Sequence, residues 1–511
     1  MKDRIHAGVD LGTTYSAIAV TDKTGRPHII PNRDGENTTP SVIYFDDKNV
    51  LVGSMASKSA LNEPYNVSRL IKRHMGMPGA RFAFGNRMLD PEIISAFIIR
   101  KVVQDAERHL NREPGSIRNI VITVPAYFTD LQRKATADAG RIAGLNVISI
   151  INEPVAAALY YSFDQTHTQQ TVLVYDLGGG TFDITLLQID RSSVRMLATD
   201  GTARLGGTDW TQALANFACE QFVEKFEQDP REDLDSLQVL MNNAEEAKRM
   251  LSREPFTILT IQHAGHSMNI PVKREEFESC TSHLLSQTSA ILKLCFERHN
   301  LSPKDVDRIL LAGGASRMPM VKNMLKEFFP DKPVDEISPE ECVAAGAAVY
   351  ADMNSSEQKT EIQDEEIRDK FRAEMICPHS LGVEGIRPGG QRVNAVIIPR
   401  ETPIPAEKSR SFRTSKDGQT SVNIKVLEGE TEDPDGCVNV GQCIIEGLPA
   451  APRSENEIQV TFSYNREGRI DVSALHKKSG KQTRTHIRRN AGLSEQALKE
   501  AIDIFKEFTV Q

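Results

Sequence analysis

A short segment rich in aspartate, glycine and threonine occurs twice in the chain. The first copy, VDLGTT, begins at Val9 and the second, YDLGGGT, begins at Tyr175; each follows one apolar stretch and precedes another. Glycine and threonine in a tight turn leave backbone N–H groups exposed, so a phosphate can approach them closely. The carboxylates of Asp10 and Asp176 are of the type that holds Mg²⁺, directly or through water. The repeat therefore predicts two hairpin turns that grip the phosphates of a nucleotide from opposite walls of one cleft.

The repeated segment also has a simpler interpretation, in which both copies are tight hairpins whose Asp and Gly serve the turn alone. A single copy would leave the two interpretations evenly matched, but two copies in the same context favour the nucleotide site. The sequence contains no GxxxxGK[ST] phosphate loop. Neither copy opens a βαβ unit of the dinucleotide-binding type.

The apolar pattern of the first two thirds of the chain predicts the elements that would position these turns. Residues 1–352 alternate short apolar runs with helical patterns, which predicts an α/β domain. Because the repeated segment has the same context in both copies, we expect two lobes of the same build facing each other across a cleft. Residues 353–375 are mostly charged or polar and predict an interdomain linker.

The last third of the chain has a different pattern. Residues 376–490 contain runs in which apolar and polar side chains alternate, broken by turn signals, and this period of two predicts an all-β sandwich. Residues 491–511 predict a short C-terminal helix, with Ser494 at its N-cap and Leu498, Ile502 and Phe505 on one face.

Composition and charge exclude several classes of function. The chain has 511 residues and lacks any apolar run of the about 18 residues that a membrane span needs. Its net charge of −9 argues against nucleic acid as the main partner. Seven cysteines without a CxxC spacing are typical of a reducing compartment. We therefore expect a cytoplasmic protein whose partners are neither membranes nor nucleic acids.

Six ordered motifs resemble the heat-shock protein 70 family of chaperones, the DnaK type. They are GVDLGTTYS, VPAYF, NEPVAAAL, YDLGGGTFD, LAGGASRMP and SPEECVAAGAAV, all within the predicted α/β domain. The stretches SLGVE and APR…EIQVTF extend the resemblance into the family's substrate-binding sandwich. The resemblance implies an actin-like ATPase domain, a peptide-binding β-domain, ATP or ADP with Mg²⁺ as cofactors, and slow ATP hydrolysis that serves the binding of unfolded, extended peptides.

The resemblance also implies roles for individual residues. It places six in catalysis, with Asp10 and Asp176 holding Mg²⁺ through water: Asp10, Lys72, Glu153, Asp176, Thr181 and Asp183. It assigns a larger set to nucleotide binding: Gly12, Thr13, Thr14, Tyr15, Gly178, Gly179, Gly180, Gly206, Gly207, Glu245, Lys248, Ser252, Gly313, Gly314, Ser316, Arg317 and Glu340. Standing alone, Glu245 and Lys248 would instead be a solvated i,i+3 pair on a helix.

The lysine assignment depends on how the segment around it is matched to the family. Lys72 fits the position of the family's catalytic lysine when the match runs through HMG, but a competing register puts Ser68 there. We prefer Lys72 because its match is longer. A lysine near the γ-phosphate supplies a point charge for phosphoryl transfer, which depends on positioning and charge neutralisation.

In the sandwich, the resemblance implies a pocket for one apolar side chain of a bound peptide. The residues at its positions are Val383, Ile386, Phe412, Ser415, Val422 and Ile424. The alternative is that the apolar members are simply core residues, because apolar side chains at a period of two face the core by default.

Three departures from the family pattern affect the expected partners and regulation. The linker carries Arg372 and Glu374 where the family has a run of Val and Leu. Each buried leucine contributes about 1.5–3 kcal/mol, so we expect ATP-driven peptide release to be weakened or abolished. Ser149 stands where the family commonly has an arginine that J-domain co-chaperones contact, so it is open whether such a co-chaperone is a partner. It is equally open whether a nucleotide exchange factor is one. About one short helix is predicted after the sandwich in this sequence, so we expect a shortened form of the family's helical lid, with residues 491–511 as its remnant. An ATP-binding regulatory or interaction protein, and less favourably a small-molecule kinase, remain alternatives to a chaperone.

Overall fold

The computed structural model describes residues 5–59, 63–85, 87–163, 169–190, 193–336, 341–354, 372–387, 389–465, 470–486 and 493–511. Two sequence predictions lie outside these ranges, namely Glu340 and most of the linker 353–375. None of the helices in the described ranges combines the length and the apolar character that crossing a membrane requires.

Two lobes with the same sheet order form the N-terminal domain. In each lobe two parallel strands lead to a hairpin strand, and antiparallel neighbours follow. The first lobe orders its main strands Asn146–Asn152, Ile117–Val124, Ile5–Asp10, Tyr15–Thr21, Pro27–Ile29, with Thr39–Pro40 beside the fourth. The second lobe orders its strands Val334–Glu336, Arg308–Ala312, Gln170–Leu177, Phe182–Ile189, Ser193–Thr202, Arg372–Ile376, Pro403–Ile404.

Helices cover these sheets, and the central strands are therefore apolar on both faces. The helices are Ser54–Ser59, Pro91–His109, Asp130–Ile142, Glu153–Phe163, Gly207–Phe226, Leu234–Leu251, Arg274–Cys280, Ser282–Arg298, Pro319–Phe328, Cys342–Met353 and Glu495–Lys506. Short 3₁₀ turns occur at Pro64–Asn66, Ile71–His74, Pro230–Glu232, Pro303–Asp305, Gly314–Arg317 and Pro434–Gly436. Smaller sheets contain Ile43–Asp46, Asn49–Val52, Val67–Ser68 and Thr509–Val510, then Phe82–Phe84 with Arg87–Leu89, and Phe256–His263 with His266–Lys273.

Two four-stranded antiparallel sheets form the C-terminal β-domain. One orders Arg392–Ile398, Leu381–Ile386, Ser421–Glu428, Val438–Glu446, and the other orders Ala406–Arg413, Glu457–Tyr464, Ile470–His476, Gln482–His486. Buried and half-buried residues alternate strictly along Glu457–Tyr464, because successive side chains of a strand point to opposite faces. The inward-facing residues of both sheets, such as Val426 and Phe462, build one core.

One strand within the described residues pairs with both domains. Arg372–Ile376 runs parallel to Ser193–Thr202 of the second lobe and antiparallel to Pro403–Ile404 of the β-domain. The charged residues that depart from the family's leucines therefore form a strand of the ATPase-domain sheet through backbone pairing. Met375 of this strand is buried, and Glu374 lies 3.6 Å from Arg195 of the neighbouring strand.

The C-terminal helix packs on the first lobe of the N-terminal domain. Its Phe505 ring stacks on Phe97 with centroids 4.8 Å apart, and Phe508 meets the Phe97 ring edge-on at 5.4 Å. The last strand, Thr509–Val510, pairs in parallel with Asn49–Val52 of that lobe. The end of the chain is thus part of the first lobe's core.

Candidate functional site

A cavity of about 310 Å³ lies between the two lobes, at the turns that carry the repeated segment. Most of the residues predicted for catalysis and nucleotide binding line it: Asp10, Gly12, Thr13, Thr14, Tyr15, Lys72, Glu153, Asp176, Gly178, Gly179, Thr181, Gly207, Glu245, Lys248, Ser252, Gly313, Gly314 and Arg317. Four further predicted residues do not line it: Gly180, Asp183, Gly206 and Ser316. Glu340 lies outside the described residues.

The two glycine-threonine turns approach each other across the cleft. A Cβ atom added to Gly179 would lie 2.3 Å from Thr14 Cγ2, and one added to Gly180 would lie 2.4 Å from Thr13 Cγ2. Since real Cβ atoms do not come so close to other heavy atoms, glycine is required at both positions for this approach. The turns of the two lobes therefore face each other, as the repeat led us to expect.

Acidic side chains and one lysine meet at the floor of the cleft. Lys72 Nζ donates to Glu153 Oε1 at 2.6 Å, and both side chains are buried. Thr123 Oγ1 donates to Asp10 Oδ1 at 2.9 Å and orients that carboxylate. Asp176 lines the same cavity from the second lobe. Asp10 and Asp176 therefore belong to one site.

The electrostatics of this floor favour an added cation. Burial, reinforced by the charge of Glu153, raises the pKa of Asp10 to about 7 and that of Asp183 to about 8. Burial and neighbouring carboxylates also raise the pKa of Asp176. Burial alone would lower the pKa of Lys72, but the charges of Glu153 and Asp10 outweigh it and raise that pKa. One ammonium group does not balance these carboxylates, so the donor set suits Mg²⁺.

The described residues at the floor of the cleft do not form a site that would bind a metal ion through protein atoms alone. Within the described ranges, no three His, Cys, Asp or Glu side chains are grouped closely enough to hold a metal ion. Contact of Mg²⁺ with Asp10 and Asp176 through water remains a prediction.

A short 3₁₀ turn delivers Lys72 to the cleft. The turn Ile71–His74 follows Leu70, whose φ of 56° is left-handed. Ser68, the residue of the competing register, is buried and its hydroxyl has no hydrogen-bond partner within the described part of the chain. Ser68 does not line the cavity, whereas Lys72 does.

The wall opposite the turns is formed by the helix Leu234–Leu251. Lys248 Nζ donates to Glu245 Oε2 at 2.6 Å and to the Gly207 carbonyl at 2.8 Å. Although burial opposes it, the charge of Lys248 together with hydrogen bonds lowers the pKa of Glu245 to about 2. Burial lowers the pKa of Lys248. The pair is bonded to the start of the helix Gly207–Phe226 and is part of the cavity wall, so it is not a solvated surface pair.

Several cleft residues were not found from the sequence. Thr208, Arg249, Arg253, Ala315, Met318 and Val343 also line the cavity. Arg249 could have been found from the sequence, because it lies four residues after Glu245 on the same helix and therefore on the same face. Its Nη2 donates to Tyr15 Oη at 2.7 Å and so joins the two lobes. Thr208 Oγ1 donates to the Gly179 carbonyl at 2.7 Å.

Arg73 was also missed, although it adjoins the predicted lysine. Its Nε donates to the Gly180 carbonyl at 3.1 Å, and its Nη2 lies 2.6 Å from Asp209 Oδ2. A first-lobe arginine thus holds the glycine turn of the second lobe in place. Asp209 in turn accepts the Gly206 N–H at 2.8 Å, so the loop and the helix start are fixed together.

A short chain of contacts runs from the cleft to the β-domain. Asp183 Oδ1 accepts the N–H of Tyr127 at 2.9 Å, and the carbonyl of Tyr127 lies 3.1 Å from His379 Nε2 of the β-domain. The half-buried Arg133 donates to Asn152 and to the carbonyls of Ala126 and Phe128, which fixes the same loop. Nearby, the N–H of Asp130 donates to Glu428 Oε1 at 3.3 Å.

A second cavity, of about 740 Å³, opens in the β-domain. All six residues predicted for peptide binding line it: Val383, Ile386, Phe412, Ser415, Val422 and Ile424. Val383 and Ile424 are also buried members of the sandwich core, so both interpretations of these positions hold for them. Ile386 is 61% exposed, so part of its apolar surface is open where it lines this cavity.

Comparison with known proteins identifies the family. The family model described as "Hsp70 protein" matches residues 6–84 and 77–511. The chain is 38% identical to the chaperone protein DnaK of Thermotoga neapolitana over 518 residues, covering all of this chain and 85% of the relative. It is 37% identical to the chaperone protein DnaK of Thermosipho melanesiensis over 512 residues, covering 99% and 83%. The chain therefore belongs to the Hsp70 family of ATPases and is a chaperone of the Hsp70 type.

Proposed function

We propose that the protein binds Mg·ATP between its two lobes, hydrolyses it slowly to ADP and phosphate, and uses the β-domain to hold an extended apolar segment of an unfolded protein in the cytoplasm. The observation that carries the nucleotide half is the close approach of the two turns, where Gly179 meets Thr14 and Gly180 meets Thr13. Two opposed loops with exposed backbone can hold phosphates from both sides, which a single hairpin cannot.

The cleft residues have complementary roles in this proposal. Phosphoryl transfer to water needs positioning and charge neutralisation more than covalent chemistry. Mg²⁺, when bound, neutralises phosphate charge beside Asp10 and Asp176. Lys72 adds a positive charge from the first lobe, and its bond to Glu153 fixes the position of its ammonium group. Glu245 and Lys248 form the wall on the adenosine side.

The β-domain would bind a peptide through backbone hydrogen bonds and one buried side chain. The supporting observation is an open cavity whose surface includes the exposed Ile386 and the half-buried Phe412 and Val422. Contacts from Asp183 through Tyr127 to His379 give the two sites a physical connection. J-domain co-chaperones and exchange factors stay open as partners, and Ser149 lies on the edge strand Asn146–Asn152 of the first lobe.

Two binding measurements test the proposal. Calorimetric titration of the full chain with Mg·ATP should show one site, and labelled ATP should yield free phosphate only. A fluorescent apolar heptapeptide should bind with saturation, and Val422→Phe, which fills the pocket, should block it. Binding of ATP without binding of any peptide would favour the alternative of a regulatory or interaction protein. Transfer of the γ-phosphate to a metabolite would favour a kinase.

A further inference from the structure

Charge is distributed unevenly around the pocket of the β-domain. Five charged side chains line it: Glu384, Arg387, Arg413, Arg453 and Glu457. Both carboxylates are already engaged by basic residues outside the lining. Glu384 binds Arg392 at 2.8 Å and Lys425 at 3.0 Å, and Glu457 binds Lys477 at 2.5 Å. The negative charge of the lining is therefore neutralised within the sandwich.

The arginines of the lining are not balanced in the same way. Arg387 pairs with Glu432 at 3.1 Å. Within the described ranges, the guanidinium groups of Arg413 and Arg453 form no ion pair, and both residues are exposed. Arg413 lies directly across from Glu457 on the neighbouring strand, but the Glu457 carboxylate is the one bound to Lys477. Glu457 feels the charge of Arg413, and the Asp417 carboxylate accepts the backbone N–H of Arg453 at 2.6 Å. Even so, both guanidinium groups line the pocket outside any ion pair of the described ranges, so they are available to a carboxylate of a bound peptide.

The apolar part of the pocket lies beside these two arginines. Phe412 precedes Arg413 on the strand Ala406–Arg413, and the exposed Ile386 lines the same cavity. Successive side chains of an extended peptide point in opposite directions at intervals of about 3.4 Å. When one apolar side chain enters the pocket, its neighbours in the peptide come to the rim, where the arginines are.

We propose that the pocket selects extended peptides in which an apolar residue is flanked by aspartate or glutamate, whose carboxylates contact Arg413 and Arg453. The inference rests on the proposed function, because it names the class of peptide that the same pocket takes. Charge complementarity at an exposed rim contributes specificity and faster association more than raw affinity. We therefore expect a preference of about fivefold for acidic flanks over neutral flanks, decreasing as salt is added.

Fluorescence anisotropy with three labelled heptapeptides tests this preference. All three carry leucine at the centre, and the flanking residues are aspartate, serine or lysine. The full chain is titrated in ADP, at low and at high ionic strength. Arg413→Gln, Arg453→Gln and the double variant are compared with Lys408→Gln, which removes a charge from the same strand outside the lining.

The outcomes separate the inference from the function on which it rests. The inference predicts that the aspartate-flanked peptide binds tightest, and that the double arginine variant binds all three peptides equally while Lys408→Gln keeps the preference. If the serine-flanked peptide binds as tightly as the acidic one, or if the lysine-flanked peptide binds best, the inference is wrong and peptide binding stands. If no peptide binds, the proposed function itself is overturned.

Discussion

Lys72 is the residue on which we expect the chemistry of the cleft to depend most. We expect Lys72→Ala to lower the rate of ATP hydrolysis by about 100-fold or more, the usual effect of removing one group that stabilises developing charge. Mg·ATP affinity should change far less, because the two phosphate loops remain. Single-turnover hydrolysis and calorimetric titration of the same variant measure the two effects separately.

Ser68→Ala is the matched control for this prediction. Its hydroxyl is buried, does not line the cavity and has no hydrogen-bond partner in the described ranges, so hydrolysis should stay within about twofold of the wild type. An equal loss of hydrolysis in Lys72→Ala and Ser68→Ala would show that Lys72 does not have the proposed catalytic role.

The buried Glu92, which does not line the cleft, leads us to expect that the stability of the fold depends on pH. Burial raises its pKa from 4.5 to about 7 in the folded protein. A carboxyl with a raised folded-state pKa stabilises the fold below its unfolded pKa, and this contribution is lost as the pH rises through about 7. We expect Glu92→Gln to increase the free energy of unfolding by about 3 kcal/mol at pH 8 and to change it little at pH 4.5.

Urea unfolding followed by circular dichroism at both pH values measures this effect. The exposed Glu113→Gln is the control and should change neither curve. A Glu92→Gln variant with the same stability gain at both pH values would refute the linkage to ionisation.

At the residue scale, the sequence indicated which residues belong to the cleft better than it indicated what each side chain contacts. The carboxylates of the cleft followed from the repeat and the resemblance, because Asp and Gly types in that pattern have few other uses. Two registers were open around Lys72, and only the left-handed Leu70 and the 3₁₀ turn place its amine beside Glu153. Arg73 could not be found, because its partner Asp209 is 136 residues away. Core and pocket positions share one period, so Val383 and Ile386 could not be separated from the sequence.

The glycine turns show at the scale of elements why the repeat has its composition. A Cβ atom at Gly179 would meet Thr14 Cγ2 at 2.3 Å and push the lobes apart. We expect Gly179→Ala to weaken Mg·ATP binding by at least about tenfold, since moving a loop that holds phosphate removes several hydrogen bonds at once. Calorimetric titration measures the loss.

Gly385→Ala is the control for the glycine prediction. A Cβ atom there would have its nearest contact at 3.5 Å, with Ala395, which is an ordinary van der Waals distance. Nucleotide binding should be unaffected. Normal ATP affinity of Gly179→Ala would contradict the opposed-loop geometry.

The C-terminal helix leads to a prediction about stability. Phe505 is nearly buried against Phe97 in the core of the first lobe. Removing such a ring costs about 3 kcal/mol, so Phe505→Ala should unfold at lower denaturant concentration and expose the chain end to protease. The exposed Lys499→Ala on the same helix should do neither. Identical protease resistance of both variants would mean that the helix contributes little to the lobe.

Helices and strands could be predicted from the sequence where the apolar pattern was long and regular, as in the two lobes and the sandwich. The amphipathic face of the last helix was also predictable from Leu498 and Phe505. Its packing partner was not, because an apolar face fits any apolar surface and Phe97 is about 400 residues away. The linker strand was hidden for the same reason. Arg372–Ile376 is positioned by backbone pairing with Ser193–Thr202, which side-chain types do not reveal.

At the scale of the whole molecule, the two proposed binding sites share one framework. Asp183 in the ATPase domain and His379 in the β-domain contact the same residue, Tyr127. Additional contacts hold the domains together, among them the bond from Arg400 to the Thr199 carbonyl and the approach of His299 Nε2 to Glu401 at 2.7 Å. The charged linker predicted weakened release of peptide, whereas the paired strand and these contacts favour communication between the sites.

ATP turnover of the full chain with and without an apolar heptapeptide tests the central claim most directly, with Val422→Phe as the variant that keeps the cleft and loses the pocket. The account predicts that saturating peptide accelerates phosphate release from the wild type several-fold and leaves the variant at its basal rate. A wild-type rate that the peptide does not change, although the peptide binds, would contradict the account.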